Sequence, residues 1–414
     1  MSRYLFVVNR LTAQKPTFST TYLMAALVRQ GAEVWAVDLD HLTWDSRRGT
    51  VASAWRLPDW ARQPFAVCRT LGDAAAVAGA ERQARQRTAN GVPMESVAPP
   101  GNPDPTADFE LPPGRMDDEA APENSDTPTV PDTVPAAVAA EALPRATAKP
   151  GAWTPLPLAS VDAAWLRCNF HAAKAVGNPF LGWAQAFEAT GKLCFNAPAG
   201  LWRTTDKSHL FDLPSELRPR GLLSSNRADL LACIRFLGRT VVLKPSSGFG
   251  GEQVFIVERG RFDNLNAILD TLLASGPVMV QEYLQAAADG DRRVLLWQGR
   301  PIEIAGHTTI YRRMRPPGDL RNNLHIGGIR ARCRFNAKDA AVIDGVGDFV
   351  RKHGIWLAGV DIIGGKVLEI NACAPGGIHN INELYGIAVD DWIAQAATQA
   401  VVERAPAGSL HSAG

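Results

Sequence analysis

The run VVLKPSSGFGGEQVFIV, Val241 to Val257, decides how the rest of the chain is read. A lysine and a proline lead into small residues that include three glycines, with apolar stretches on either side. Loops of this composition turn backbone N–H groups inward around phosphates. A P-loop carries its lysine after the glycines and runs straight into a helix. Here Lys244 comes first, and EQVFIV alternates as a strand does. A dinucleotide fingerprint also needs a helix after its glycines. What remains is a hairpin. Either its loop folds over phosphates that Lys244 helps to neutralise, or it is a bare glycine turn.

A second stretch, GVDIIGGKVLEINACAP, places Asp361 before a Gly364-Gly365 turn and Glu369 and Asn371 after it. Residues two apart on a strand share a face, so Glu369 and Asn371 lie together. A plain two-residue turn sets Asp361 opposite Leu368, on the wrong face. A three-residue loop with a glycine bulge sets it opposite Glu369 and gathers three oxygen ligands, a set that suits Mg2+. The other reading is an ordinary charged hairpin, although carboxylates in so apolar a segment need a cation. Basic residues form a third group. Arg292-Arg293 open a strand, and YRRMRPPGDLRNNLHIGGIR carries Arg312, Arg313, Arg315, Arg321 and Arg330. This Gly/Pro-rich segment reads as a mobile lid or as a solvated basic loop.

Bulk properties bound the rest. At 414 residues the chain exceeds one typical core, so two or three units are expected. A net charge of +1 suggests no nucleic-acid surface. The six cysteines form no CxxC pair, which speaks against a zinc ribbon or a disulfide scaffold and for a reducing compartment. No run approaches the roughly 20 apolar residues of a membrane span. A cytoplasmic protein without a membrane partner is the expectation. YLFVV, a helix from Tyr22 to Val28 and AEVWAVD make a βαβ start. From 71 to 150 the chain turns rich in Ala, Pro and acids, and reads as a disordered insertion.

With these residues assembled, the chain resembles the ATP-grasp superfamily and, within it, the prokaryotic glutathione synthetases. LKPSSGFGGEQVF, VQEYLQAAADGDRRVL, RRMRPPGDLRNNLHIGG and GVDIIGGKVLEIN carry the likeness, in that order. The resemblance implies an α/β (α+β) ATP-grasp fold with an N-terminal βα substrate domain, residues 1–70 and 151–198. A small lid subdomain, 199–284, a large subdomain with the metal site, 285–402, and a flexible tail, 403–414, would follow. ATP and Mg2+, with Mn2+ as a substitute, are the implied cofactors. Lys207 and Lys244 would hold ATP phosphates, with Ser246, Ser247, Gly248, Gly250 and Gly251 folding over them. Gln281, Glu282, Tyr283 and Leu284 would border the adenine, and Asp291 the ribose. Asp361, Glu369 and Asn371 would bind the metal, Arg293 would lie near the acceptor carboxylate, and Arg313 and Arg321 would be lid arginines close to the acyl phosphate, the three forming the catalytic set. His325, in the lid, is the one histidine to watch.

Substrate-facing parts depart from the family's pattern. The family's Arg-Lys-Asp-Pro-Pro run is LRCNFHAA here, keeping Arg167 alone, and where the family has its Thr-Ser-Pro-Thr segment this chain has CAPGGIHN. Ile329 stands at the third lid arginine's place, with Arg330 beside it. Lys15, Thr17 and Ser19 resemble the family's substrate-side turn. The implied partners are a small carboxylate and an amine, with homo-oligomers common among such relatives. Three functions stay open: a ligase making an amide through an acyl phosphate, a regulatory ATP binder, and a kinase that stops after phosphoryl transfer.

Overall fold

The computed structural model describes residues 2–45, 49–89, 153–168, 179–248, 253–258, 260, 264–314 and 329–404. The expectations for Gly250, Gly251, Arg321, His325, most of the insertion and nearly all of the tail lie outside these residues. The chain divides into one unit of 1–78 with 150–414 and a second of 79–149, of which the described part is the end of one helix.

The first layer is a sheet ordered β3-β4-β2-β1-β6-β7, with β5 on β4. Its strands are β1 Arg3–Val8, β2 Glu33–Asp38, β3 Leu42–Asp45, β4 Gly49–Arg56, β5 Thr154–Pro157, β6 Ala163–Arg167 and β7 Leu193–Phe195. β1, β2, β6 and β7 run parallel. Parallel strands covered on both faces read as unbroken apolar runs, which is why YLFVV and AAWL show no alternation. On one face Tyr4 and Phe6 pack with α1 (Ser19–Arg29) and α9 (Val389–Arg404); on the other Leu5 and Val7 pack with α3 (Pro179–Glu188). Open α/β sheets take ligands at the carboxyl ends of their strands, which here are the ends of β1 and β6 beside the start of α1.

The insertion begins later than expected. Residues 71–89 continue α2 (Pro64–Ala89), and Leu71 and Ala74 are fully buried. Alanine-rich sequence favours helix, and these two side chains reach the first core.

A second sheet, ordered β10-β9-β11-β8, holds β8 Gly221–Ser224, β9 Val241–Pro245, β10 Phe255–Val257 and β11 Val278–Glu282. The opening stretch is therefore a hairpin, with Phe255 opposite Leu243. Helices α5 (Arg227–Leu237) and α6 (Leu265–Leu273) bury Leu230, Ile234, Leu269 and Leu272 against Val241, Leu243, Val278 and Val280. Asn226 caps α5 by accepting from Ala228 N at 2.8 Å, and Gly238 ends it at φ 59°.

The third sheet runs β17-β16-β12-β18-β19. It comprises β12 Asp291–Trp297, with β13 Arg300–Pro301 folded back on it, β16 Ile310–Met314, β17 Ile329–Arg332, β18 Leu357–Ile363 and β19 Lys366–Asn371. The expected turn at Gln298-Gly299 joins β12 to β13, both residues at positive φ. A separate pair, β14 Glu303–Ile304 and β15 His307–Thr308, follows. Helix α7 (Ala337–Lys352) lines the sheet through Val342, Ile343, Val346 and Val350. Leu201, on α4 (Pro198–Arg203), and Leu210 join that same core. Helix α8 (Ile378–Tyr385) follows β19. Among the described residues no helix is long and apolar enough to cross a membrane.

Candidate active site

Partners in antiparallel register share a face, so pairing alone builds this site. Glu369 faces Asp361, Asp361 faces Arg293, Arg293 faces Tyr311, and Tyr311 faces Arg332. That is one row across five strands. Asp291, Arg313 and Arg330 form the next row on the same face. Arg330 thus reaches the site face although Ile329 occupies the expected position, and its Nη1 donates to Asn380 Oδ1 at 2.7 Å.

The register of β18 and β19 corrects the expected loop. The turn at Gly364-Gly365 has two residues at φ 57° and 78°, and Ile363 faces Lys366. The extra residue is Leu368, a bulge further along β19: Val367 faces Ile362, yet Glu369 faces Asp361. One inserted residue flips the alternation and brings the two carboxylates to one side. Asn371 Nδ2 lies 3.3 Å from Asp361 Oδ2 and 3.4 Å from Glu369 Oε2. Amide orientation follows the assigned hydrogen bonds, so a flipped Asn371 presents its oxygen to the same place. Three oxygen donors fit a hard divalent cation.

Asp361 is not free, however. Arg293 donates through Nε and Nη2 to its two oxygens at 2.7 Å each, and Arg313 Nη2 lies 2.9 Å from Oδ2. Burial pushes this carboxyl up, but the two guanidiniums outweigh it and hold its pKa at about 2. Arg313 also grips Asp291 at 2.6 and 3.0 Å. Both Asp291 oxygens are so engaged, and 7% of the residue is exposed. In this structure it anchors Arg313.

The second sheet brings the lysines. Lys207 N donates to Ser246 O at 2.8 Å, and its Nζ donates to Gly248 O at 3.0 Å and stands 4.0 Å from Glu369 Oε1. Lys244, on β9, is buried. Burial first, and then the charge of Lys207, pull its pKa down to about 7 against the opposing pull of Glu369 and Asp361. Ser246 is buried and Ser247 half-buried at the start of the glycine loop. On β11, Gln281 and Glu282 are buried. The Glu282 carboxylate turns back to accept from Arg220 N and Nε at 3.0 Å each. Tyr283 N donates to Thr240 O, and Leu284 O accepts from Ala287 N.

On the substrate side, Arg167 ends β6 with 6% exposure. Its Nε donates to Thr20 Oγ1 at 3.1 Å and its Nη2 to Pro375 O at 3.2 Å, and no carboxylate meets it among the described residues. Burial lowers its pKa to about 10. Ser19 is buried beside it in sequence with Thr20, its Oγ accepting from Ile378 N at 3.4 Å. Lys15 and Thr17 are exposed; Lys15 takes part through its carbonyl, which accepts from Thr21 Oγ1 at 3.0 Å. Sequence reading missed Thr20 and Tyr311. The hydroxyl run STT at the head of α1 and the alternation in IYRRM were the available signals.

Residues 207–386 match the family described as prokaryotic glutathione synthetase, ATP-grasp domain. The glutathione synthetase of Gloeobacter violaceus is 32% identical over 245 residues, 57% of this chain and 72% of that protein. The chain belongs to the ATP-grasp family of prokaryotic glutathione synthetases. The glutathione synthetase of Synechococcus elongatus is 33% identical over 198 residues, 47% of this chain and 58% of its own length, so the match spans little more than half of that relative. Among solved structures, D-cycloserine synthetase DcsG is 19% identical, with a TM-score of 0.46 over 59% of this chain and 85% of its own.

Proposed function

We propose that this chain is an ATP-dependent ligase that joins a carboxylate to an amine through an acyl phosphate. Family membership supports the ligase class. The observation that carries the reading is the gathering of Lys207, Lys244, Arg293 and Arg313 around Asp361, Glu369 and Asn371. Cations and oxygen donors so placed can hold both a nucleotide's phosphates and the divalent ion that accompanies them.

In this reading Lys207 and Lys244 bind the β- and γ-phosphates under the loop from Ser246 to Gly251. Main-chain groups of Gln281 to Leu284 border the adenine. Asp361, Glu369 and Asn371 would hold Mg2+, or Mn2+ on the same oxygen set, which when bound draws the phosphate oxygens together and offsets their charge. An oxygen of the donor carboxylate attacks the γ-phosphorus, the bond to the β-phosphate oxygen breaks, and ADP leaves. The amine nitrogen then attacks the acyl carbon, and phosphate departs as the nitrogen loses a proton. Arg293 and Arg313, fixed by Asp361 and Asp291, stabilise the charge on the acyl phosphate and the tetrahedral oxyanion. Arg321 joins them in this proposal from outside the described residues. Arg167, with Ser19 and the Lys15–Thr17 turn, takes a carboxylate of the donor.

The test is ADP release from purified protein with Mg-ATP, γ-glutamylcysteine and glycine, leaving out each in turn. Turnover that needs both co-substrates supports glutathione formation. ADP release that ignores the amine makes the protein a kinase. Nucleotide binding without turnover across a panel of carboxylates and amines leaves a regulatory binder and sinks the ligase.

A further inference from the structure

The peptide unit between Asp206 and Lys207 is held at both of its ends. Its N–H, that of Lys207, donates to Ser246 O at 2.8 Å, where the glycine loop begins. Its carbonyl oxygen, that of Asp206, meets His209 Nδ1 at 2.5 Å. A carbonyl can only accept, so the neutral imidazole carries its proton on Nδ1. Nε2 is then a bare acceptor, and it is buried without a partner among the described residues.

That is a poor way to fill a core position. His209 is 1% exposed, with Leu210 beside it in the same core and the Phe349 ring centroid 6.0 Å away. A phenylalanine or a leucine would occupy this place without stranding a polar atom. What an apolar side chain could not do is donate to Asp206 O. The rest of the turn is braced as well: Asp206 Oδ1 accepts from Ser208 N at 2.7 Å, and Ser208 Oγ accepts from Arg203 Nη1 at 3.0 Å.

Lys207 is what this fixed peptide presents. Its Nζ donates to Gly248 O at 3.0 Å and stands 4.0 Å from Glu369 Oε1. One residue thus spans from the start of the glycine loop to the carboxylate on β19. The stem of a lysine is flexible, so only its main chain can be set in advance. Turning the Asp206–Lys207 peptide would break the contact with Ser246 and swing the stem away from Gly248.

We propose that His209 is a positioning residue for Lys207. It touches no phosphate and acts by holding the peptide from which Lys207 is aimed. Without the Nδ1–H donor Lys207 keeps its charge, but nucleotide binding must then order it, and affinity falls. The proposal rests on the reading in which Lys207 takes nucleotide phosphates, and it names the residue that makes Lys207 ready for them.

The experiment is calorimetric titration of Mg-ADP into the full chain at pH 7.5. It compares wild type, His209→Phe, His209→Asn, Lys207→Met and the double variant Lys207→Met with His209→Phe. An asparagine amide sits where Nδ1 does and can donate to Asp206 O; a phenylalanine keeps a ring and cannot. His209→Phe is expected to weaken Mg-ADP about tenfold or more, and His209→Asn to stay within about threefold of wild type. Added to Lys207→Met, His209→Phe should change affinity by less than about twofold, because no ammonium is left to aim. A histidine that only filled the core would give a different pattern. Wild-type affinity in His209→Phe, an equal loss with and without Lys207, or an asparagine variant no better than the phenylalanine one each overturns the proposal. If His209→Phe does not fold, His209→Leu replaces it as the variant without a donor. The two readings fail separately. Lys207→Met with wild-type affinity removes the phosphate role and this proposal with it. Lys207→Met that binds weakly, beside a neutral His209→Phe, leaves that role standing and removes His209 alone.

Discussion

The two ends of the cleft handle buried charge in opposite ways. On the third sheet Arg293 and Arg313 are matched by Asp361 and Asp291, each guanidinium held by two or more hydrogen bonds at 2.6 to 3.0 Å. At the edge of the first sheet Arg167 is at least as buried, yet its partners are a hydroxyl and a carbonyl. The first arrangement is complete as it stands. The second waits for an anion. A neutralised cluster suits a place where charge must be held still during chemistry, and an uncompensated guanidinium suits a place where a substrate brings the missing charge.

The sharpest way to break this contrast is Asp361→Asn. It leaves two buried guanidiniums short of a counter-charge, and breaking a buried pair by removing one partner costs about 3–5 kcal/mol. Urea unfolding of the apoprotein measures that loss directly. A change below 1 kcal/mol would mean that the cluster is solvated and the contrast false. Turnover should fall on the order of a hundredfold or more, as when one preorganised charge contact is lost.

His209 tests whether unmatched burial is general behind the site or special to Arg167. It lies in the segment that begins at Lys207, with Nδ1 2.5 Å from Asp206 O, and its Nε2 is buried without a partner among the described residues. Burial lowers its pKa from 6.5 to about 4. The unfolded chain therefore takes up this proton first as the pH falls. The stability that comes from keeping His209 neutral is complete above about pH 6.5 and is lost progressively down to about pH 4, in total about 3 kcal/mol. His209→Gln should flatten that part of the pH–stability curve. An unchanged slope would place the acid sensitivity elsewhere.

Arg167→Met is expected to have a smaller effect and the opposite sign to Asp361→Asn. Replacing an uncompensated buried charge by an apolar side chain of similar length should raise apoprotein stability by about 1–2 kcal/mol. KM for the carboxylate donor should rise at least tenfold while KM for ATP stays put. Loss of stability instead would show that Arg167 is a structural strut.

These contrasts also mark what the sequence could reveal. Apolar runs such as YLFVV and glycines such as Gly364-Gly365 act locally, so the βαβ start and both hairpins were legible. The bulge at Leu368 was not, because an extra residue in a strand has no composition of its own; only pairing with β18 exposes it. The Asp361–Arg293 pair depends on residues 68 apart meeting across β12 and β18, a register set by the whole sheet. Arg313 was found as a lid arginine, yet its grip on Asp291, 22 residues away, depends on the pairing of β12 with β16. Strands β3 to β5 extend the first sheet antiparallel and went unread, since their short mixed runs, such as LTWD and TPLP, lack a clear period.

Lys244 gives the finest test of the contrast, because it is a cation on the matched side whose match is incomplete. With a pKa of about 7 in the apoprotein, most molecules at pH 7.5 carry it neutral. Phosphates placed against it favour the charged form and raise that pKa. Nucleotide binding at pH 7.5 should then take up roughly 0.5–0.8 proton, falling toward zero as the pH drops below 6, where Lys244 is already charged. Titrations of Mg-ADP in two buffers of different ionisation enthalpy read this uptake, and Lys244→Met should abolish it. If the wild-type heats do not depend on buffer, Lys244 is charged before the nucleotide arrives. Glu369 and Asp361 would then balance it as fully as Asp361 balances Arg293, and among the buried cations described here Arg167 would be the one left for a ligand to complete.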